Sequence, residues 1–240
     1  MTKLHTELNN TDTLRGKAMN SLREVVFGLE DGIVSTLGSI TGIAAATHNS
    51  FFIILAGFVI IFVESLSMAA GTFLASKTDR EMNQRIIAEE RAEIDSDPEG
   101  QRQKLSDHYR ARGFNDEEIS ILVNRITQNK DLWLEEMAHK DLGVSVDPSH
   151  TPGLDGVFMG VSYVIGGFVS LIPYFFLEAA TAIPLSIGAC VIALFAVGWV
   201  KGYLVRVNAV KSGLEMLLIS LSAVAVGYGV GQVISYYFGV

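Results

Sequence analysis

The chain has 240 residues, of which 49% are hydrophobic and 18% charged, and its formal net charge is −8. A nucleic-acid partner needs a basic surface that neutralises phosphates, so this acidic balance argues against one. Cys190 is the only cysteine, which excludes an intrachain disulfide.

Five long apolar stretches dominate the sequence. They cover residues 25–46, 51–76, 154–177, 183–205 and 213–238. Each has about 20 residues or more, enough for an α-helix to cross a hydrocarbon core about 30 Å thick. The pattern predicts an all-α integral membrane protein in the lipid bilayer, with transmembrane helices one and two in residues 25–76 and helices three to five in residues 151–240.

The positive charges predict the orientation of these helices. If the N-terminus is cytoplasmic and the helices alternate in direction, all 18 Lys and Arg residues fall on the cytoplasmic side. An excess of Lys and Arg is typical of cytoplasmic segments. Residues 1–24 are then a cytoplasmic leader, and we expect no secretory signal there because an apolar segment followed by a cleavage site is missing.

Residues 77–150 are mostly polar and predict an all-helical cytoplasmic insert between spans two and three. The second helix is expected to continue into the insert, because residues 75–94 contain neither Gly nor Pro. Gly113 and Asn115 are predicted to cap consecutive insert helices, as C-cap and N-cap respectively. The three helices expected after the second span cover 99–112, 116–128 and 131–142.

Glycines recur four residues apart in three of the apolar stretches. This spacing lets helix backbones approach closely in lipid, and it indicates close packing or dimerisation. The pairs are Gly28 and Gly32, Gly38 and Gly42, Gly156 and Gly160, and Gly227 and Gly231.

Four carboxylates lie well inside the apolar stretches: Glu30, Asp31, Glu64 and Glu215. Asp155 opens the third stretch, where it could simply cap a helix. A charge at the centre of a membrane helix costs about 2.5 kcal/mol or more, so such residues usually mark a pathway. Glu215 is one turn from Lys211, and we interpret these two as an ion pair near the interface.

Glu64 and Met68 are four residues apart and share one helix face. Opposite Glu30 and Asp31 of the neighbouring helix, they could coordinate a divalent cation. Carboxylate oxygens suit iron(II) or manganese(II), and a thioether favours iron or copper. The sequence therefore predicts a transport pathway at these four residues, although packing alone would also explain Met68.

The insert has an acidic face of its own. Glu136 and His139 match the Glu-x-x-His spacing of di-iron carboxylate helices, but a di-iron centre needs two such motifs and we find one. A solvated charged helix is the alternative interpretation. The face includes Glu89, Glu90, Glu93, Glu99, Glu135, Glu136, Met137, His139 and Asp141.

Two sequence runs resemble the vacuolar iron transporter family. Residues 26–35 (VFGLEDGIVS) resemble its first-helix signature, and residues 67–77 (SMAAGTFLASK) resemble its second-helix motif. The third span adds Gly166-Gly167 and Ile172-Pro173-Tyr174. Together with the five-span plan and the insert, the resemblance covers nearly the whole chain.

The resemblance implies a homodimer that exports iron(II) from the cytoplasm in exchange for protons, along a pathway at the subunit interface. Asp31 and Met68 match pathway residues of the family. The insert matches its cytoplasmic metal-binding domain, where the residues at ligand positions are Glu90, Glu93, Glu99, Met137 and Asp141.

This sequence departs from the family pattern at several positions. Arg102 or Lys104 stands where a second late glutamate is expected, and Ala138 replaces a methionine. Glu64 is one turn nearer Met68 than the expected second-helix glutamate. The insert is therefore expected to bind fewer ions, or to use Glu136 and His139 as well.

We accordingly expect a transporter rather than an enzyme, without a prosthetic group, whose substrates are a divalent metal and protons. A manganese(II) exporter, a membrane ferroxidase using Glu136 and His139, and a membrane metal sensor remain alternatives. A prokaryotic cell membrane is the favoured location, or the vacuolar membrane in a eukaryotic cell.

Overall fold

A computed structural model describes residues 2–47, 49–142 and 151–238. Within these residues the chain is helical and forms no strand, as the apolar periodicity predicts. The helices are α1 (Thr2–Thr47), α2 (Ser50–Ser96), α3 (Pro98–Ala111), α4 (Asp116–Thr127), α5 (Lys130–Leu142), α6 (Pro152–Leu171), α7 (Pro173–Phe176), α8 (Ala179–Val205) and α9 (Ala209–Phe238).

The chain divides into two compact units. One unit comprises residues 1–74 and 151–240, and the other comprises residues 75–150. The second unit contains the segment predicted as the insert. Helix α2 begins in the first unit and ends in the second, so the predicted continuous helix through residues 75–94 is confirmed.

Three of the described helices, α2, α6 and α8, are long and apolar enough to cross a membrane. They confirm an all-α membrane protein, while the roles of α1 and α9 as the first and fifth spans stay predictions. The third apolar stretch is not one helix. Helix α6 ends at Leu171 and α7 begins at Pro173, because proline lacks the amide hydrogen that would continue the helix.

Glycines hold α6 against both α1 and α2. A Cβ atom placed on Gly28 of α1 would lie 2.6 Å from the carbonyl oxygen of Met159, and one on Gly156 of α6 would lie 2.7 Å from that of Ala69 in α2. Both distances are too short for any side chain. Helix α6 therefore lies between α1 and α2 in direct backbone contact with each.

The second glycine pair of α1 packs against α9. A Cβ on Gly42 would lie 2.7 Å from the carbonyl oxygen of Gly227, and Gly231 meets the backbone of Gly42. Helix α9 also contacts α8, where a Cβ on Gly198 would lie 2.8 Å from the Cα of Gly213. The predicted glycine pairs thus serve close packing within one chain.

In the second unit, two helix ends lie where the local sequence predicts them. Asn115 caps α4 in a reciprocal arrangement with Glu118, and Gly113 adopts φ +94° just after α3. Both predicted caps are confirmed, since a left-handed residue after a helix favours glycine. The core of this unit is formed by Ile94, Leu105, Tyr109, Ile119, Val123, Ile126, Trp133, Leu134 and Met137.

We predict that Gly28→Ala lowers the free energy of unfolding by about 1–3 kcal/mol, because the added methyl group overpacks the α1–α6 contact. Thermal unfolding of the purified chain in detergent, followed by circular dichroism, measures the effect. Gly188→Ala is the matched control, since a Cβ there meets no other atom of the described chain within 4 Å. Equal stability of the two variants would contradict the packing role of Gly28.

Candidate ion pathway and metal-binding residues

Three of the predicted pathway carboxylates lie near one another in the first unit. Glu30 and Asp31 of α1 and Glu64 of α2 are all partly buried. Asp31 interacts electrostatically with Glu64, and Glu30 interacts with Asp31 and with Lys201 of α8. These carboxylates of two helices therefore lie within electrostatic range of one another, although among the described side chains they do not form a group close enough to hold a metal ion. Lys201 is a nearby cation that the sequence did not indicate.

Tyr163 of α6 is a polar residue of this cluster that sequence reasoning missed. Its side chain is completely buried, and its hydroxyl group donates a hydrogen bond to Oε2 of Glu64. The same hydroxyl is hydrogen-bonded to Oγ of Ser35 in α1. A buried tyrosine usually has a partner for its hydroxyl, so a tyrosine in an apolar helix was the available signal.

Met68 lies one turn beyond Glu64 on α2 and is partly buried. The i, i+4 spacing places the thioether and the carboxylate on the same helix face, as predicted. The fourth membrane carboxylate behaves differently: Glu215 is exposed and lies 3.9 Å from Nζ of Lys211. The predicted ion pair is confirmed.

A groove of about 680 Å³ lies between α1 and α9. Small residues line much of its α1 side, including Ser35, Gly38, Ser39 and Gly42. Ser35 also belongs to the hydrogen-bonded group of Tyr163 and Glu64. The groove and the carboxylate cluster therefore meet at Ser35.

The glutamates of α2 in the second unit already have partners. Nε of Arg85 lies 2.7 Å from Oε1 of Glu89. Oε2 of Glu93 accepts hydrogen bonds from Gln101 at 2.6 Å and from Lys104 at 2.9 Å. Lys104, one of the residues that depart from the family pattern, thus places a positive charge beside a predicted ligand.

The other candidate ligands of this unit occupy contrasting environments. Glu90 is buried, with 7% exposure, whereas the side chain of Glu99 is 89% exposed. Met137 is completely buried in the hydrophobic core, where packing alone explains its presence. Glu136 accepts a hydrogen bond of 2.6 Å from the hydroxyl group of Tyr109. Glu135 is exposed.

Among the described side chains, no three His, Cys, Asp or Glu residues come close enough together to hold a metal ion. The side chains of His139 and Asp141 lie outside the described residues. The complete predicted ligand set of the insert is therefore not seen together, and its role stays a proposal.

Apolar membrane-length helices with a cluster of carboxylates between them define an integral membrane protein suited to handling cations. The sequence profile of the VIT family matches residues 22–232. The chain therefore belongs to the VIT family, as the two sequence runs predict, and this is a family of metal ion transporters.

Alignments with named relatives cover most of the chain. It is 27% identical over 217 residues to vacuolar iron transporter 1 of Arabidopsis thaliana, covering 90% of this chain and 86% of that protein. It is 27% identical over 214 residues to vacuolar iron transporter 2 of Oryza sativa subsp. japonica, covering 89% and 87% respectively. The vacuolar iron transporter of Plasmodium falciparum is 23% identical over 240 residues, covering 96% and 86%.

The Tyr109–Glu136 hydrogen bond should give the second unit a pH-dependent stability. Burial, and then the hydrogen bond to Glu136, raises the pKa of Tyr109 from 10.0 to about 12. Because the folded state holds the phenol proton more tightly, this stability is fully present below pH 10.0 and is lost as the pH rises through about 12.

We predict that Tyr109→Phe abolishes the loss of stability at high pH, because phenylalanine has no proton to lose. At neutral pH the variant should be less stable than the parent, because the hydrogen bond to Glu136 is missing. The measurement is fluorescence of Trp133 during unfolding at a series of pH values, in a Trp199→Phe background so that one tryptophan reports. Identical pH profiles with tyrosine and phenylalanine at position 109 would show that the pair does not contribute.

Proposed function

We propose that this protein exports iron(II) from the cytoplasm across a membrane in exchange for protons. The observation that carries the proposal is the electrostatic interaction of Asp31 with Glu30 and with Glu64, on apolar helices of a VIT-family chain. The names of the relatives support iron as the substrate. The distribution of Lys and Arg supports a cytoplasmic N-terminus and insert.

Competition for the same carboxylates provides the physical basis of exchange. A carboxylate in an apolar environment is stabilised by neutralisation, which either a proton or a bound cation can supply. Asp31 and Glu64 would bind the transported ion through oxygen, and Met68 would add a thioether. Loss of the ion leaves the same carboxylates to take up protons, so the two fluxes run in opposite directions.

The insert would gather ions at the cytoplasmic end of the pathway. Buried Glu90 and partly exposed Glu93, both on α2, are the central candidates, and a second chain in a homodimer would double the number of carboxylates. The proposed ligand set is Glu89, Glu90, Glu93, Glu99, Glu136, Met137, His139 and Asp141.

Manganese(II) is the second candidate substrate. Asp31 and Glu64 provide oxygen ligands, which suit manganese(II) as well as iron(II), and only Met68 favours the softer ion. Transport assays with each ion separately decide between them.

We predict that Asp31→Ala abolishes metal transport while leaving the protein folded, because it removes the carboxylate of α1 that interacts electrostatically with Glu64 of α2. The assay uses sealed vesicles containing a metal-quenched dye and a pH dye, with iron(II) added outside. Metal should enter as protons leave. The matched control is Glu215→Ala, which removes an exposed carboxylate of the same unit. Normal transport by Asp31→Ala would refute the pathway.

We also predict that Lys104→Ala strengthens metal binding by the insert about two- to fivefold, because it removes a cation paired with Glu93. Titration calorimetry of the full chain with manganese(II), which resists oxidation, measures the affinity. The control is Lys130→Ala, which deletes a lysine paired with Asp95 instead.

Two results would contradict this role of Lys104. An equal gain in Lys130→Ala would show that net charge alone is responsible. A gain that persists in a Glu93→Ala background would show that Lys104 does not act through Glu93.

A further inference from the structure

The hydroxyl group of Tyr163 joins three helices. It is hydrogen-bonded to Glu64 of α2 and to Ser35 of α1, and its own ring is fully buried on α6. A phenol has one hydrogen to donate, and an ionised carboxylate can only accept. Tyr163 therefore donates to Glu64, and Ser35 donates to Tyr163.

The hydrogen bond from Tyr163 makes the two carboxylate oxygens of Glu64 inequivalent. Oε2 accepts the hydrogen bond, which occupies one of its lone pairs and draws charge from it, so Oε2 is a weaker ligand for a cation. Oε1 accepts no hydrogen bond within the Tyr163–Ser35 group. The hydrogen bond also restrains the orientation of the Glu64 carboxylate and leaves Oε1 as the oxygen without a phenol partner.

We propose that Tyr163 is a positioning residue that restricts Glu64 to one-oxygen coordination and thereby disfavours calcium(II) relative to iron(II). The inference rests on the proposed function, since it assumes that Glu64 lies on the ion pathway. It adds a source of selectivity outside the residues that touch the ion.

The chemistry of the two ions supports this selectivity. Calcium(II) takes six to eight oxygen ligands and readily accepts both oxygens of one carboxylate. Transition-metal ions use fewer ligands, and iron(II) gains from the thioether of Met68. Weakening one oxygen of Glu64 as a ligand therefore costs calcium(II) more than iron(II).

The test compares Tyr163→Phe with Tyr174→Phe. Tyr174 is equally buried, at 2% exposure, and its hydroxyl has no hydrogen-bond partner within the described part of the chain. Each variant therefore loses one buried hydroxyl, but only Tyr163→Phe frees Oε2 of Glu64. The readout is the apparent KM and maximal rate of vesicle uptake, measured for iron(II) and calcium(II) separately.

We expect Tyr163→Phe to lower the ratio of iron(II) to calcium(II) uptake efficiency about three- to tenfold, and Tyr174→Phe to leave it unchanged. Ser35→Ala, which keeps the Tyr163 ring and removes the donor behind it, should shift the ratio in the same direction by less. This second variant tests the proposal if Tyr163→Phe fails to fold.

A purely structural role for Tyr163 predicts a different result, in which uptake of both ions falls together and their ratio stays constant. That result would overturn the inference. If Asp31→Ala also abolishes transport, the proposed function survives and only the selectivity role of Tyr163 fails. If the parent protein transports no metal, both the proposed function and the selectivity role of Tyr163 fail.

Discussion

The membrane unit depends on direct backbone contact between α1 and α6. Gly28 and Gly32 place the α1 backbone against Met159 and Tyr163, at distances that leave no room for a side chain. In lipid, such contacts are a main source of helix association, because apolar side chains gain little by leaving an equally apolar solvent. The same contact places Glu30 and Asp31, which lie between these two glycines on α1, beside the helix that bears Tyr163.

The polar groups around Glu64 are tolerable in an apolar environment because they are hydrogen-bonded to one another. Tyr163 is buried, yet its hydroxyl has both a carboxylate acceptor and a serine donor. Glu30 has Lys201 within electrostatic range. A transport site must nevertheless leave some carboxylate oxygens available to bind its substrate. A site in which every oxygen already had a partner within the protein would not fit the proposed role. The partly buried state of Asp31 and Glu64 is consistent with that requirement.

Local features were predictable from the sequence, whereas partnerships between distant residues were not. Gly113 and Asn115 were recognised as caps because capping depends on a few neighbouring residues. Tyr163 was missed because its partners are 99 and 128 residues away along the chain. Met137 shows a further limit: the resemblance marked it as a candidate ligand, but the sequence did not indicate that it lies in the hydrophobic core of the second unit.

The glycine contacts also fix the axial register of the helices. A helix rises about 1.5 Å per residue, so sliding α1 by a single position would bring side-chain-bearing residues against the α6 and α9 backbones. Any motion of α1 past its neighbours is therefore opposed along the helix axis, and the axial position of Glu30 and Asp31 relative to α6 and α9 is set by residues that carry no side chain.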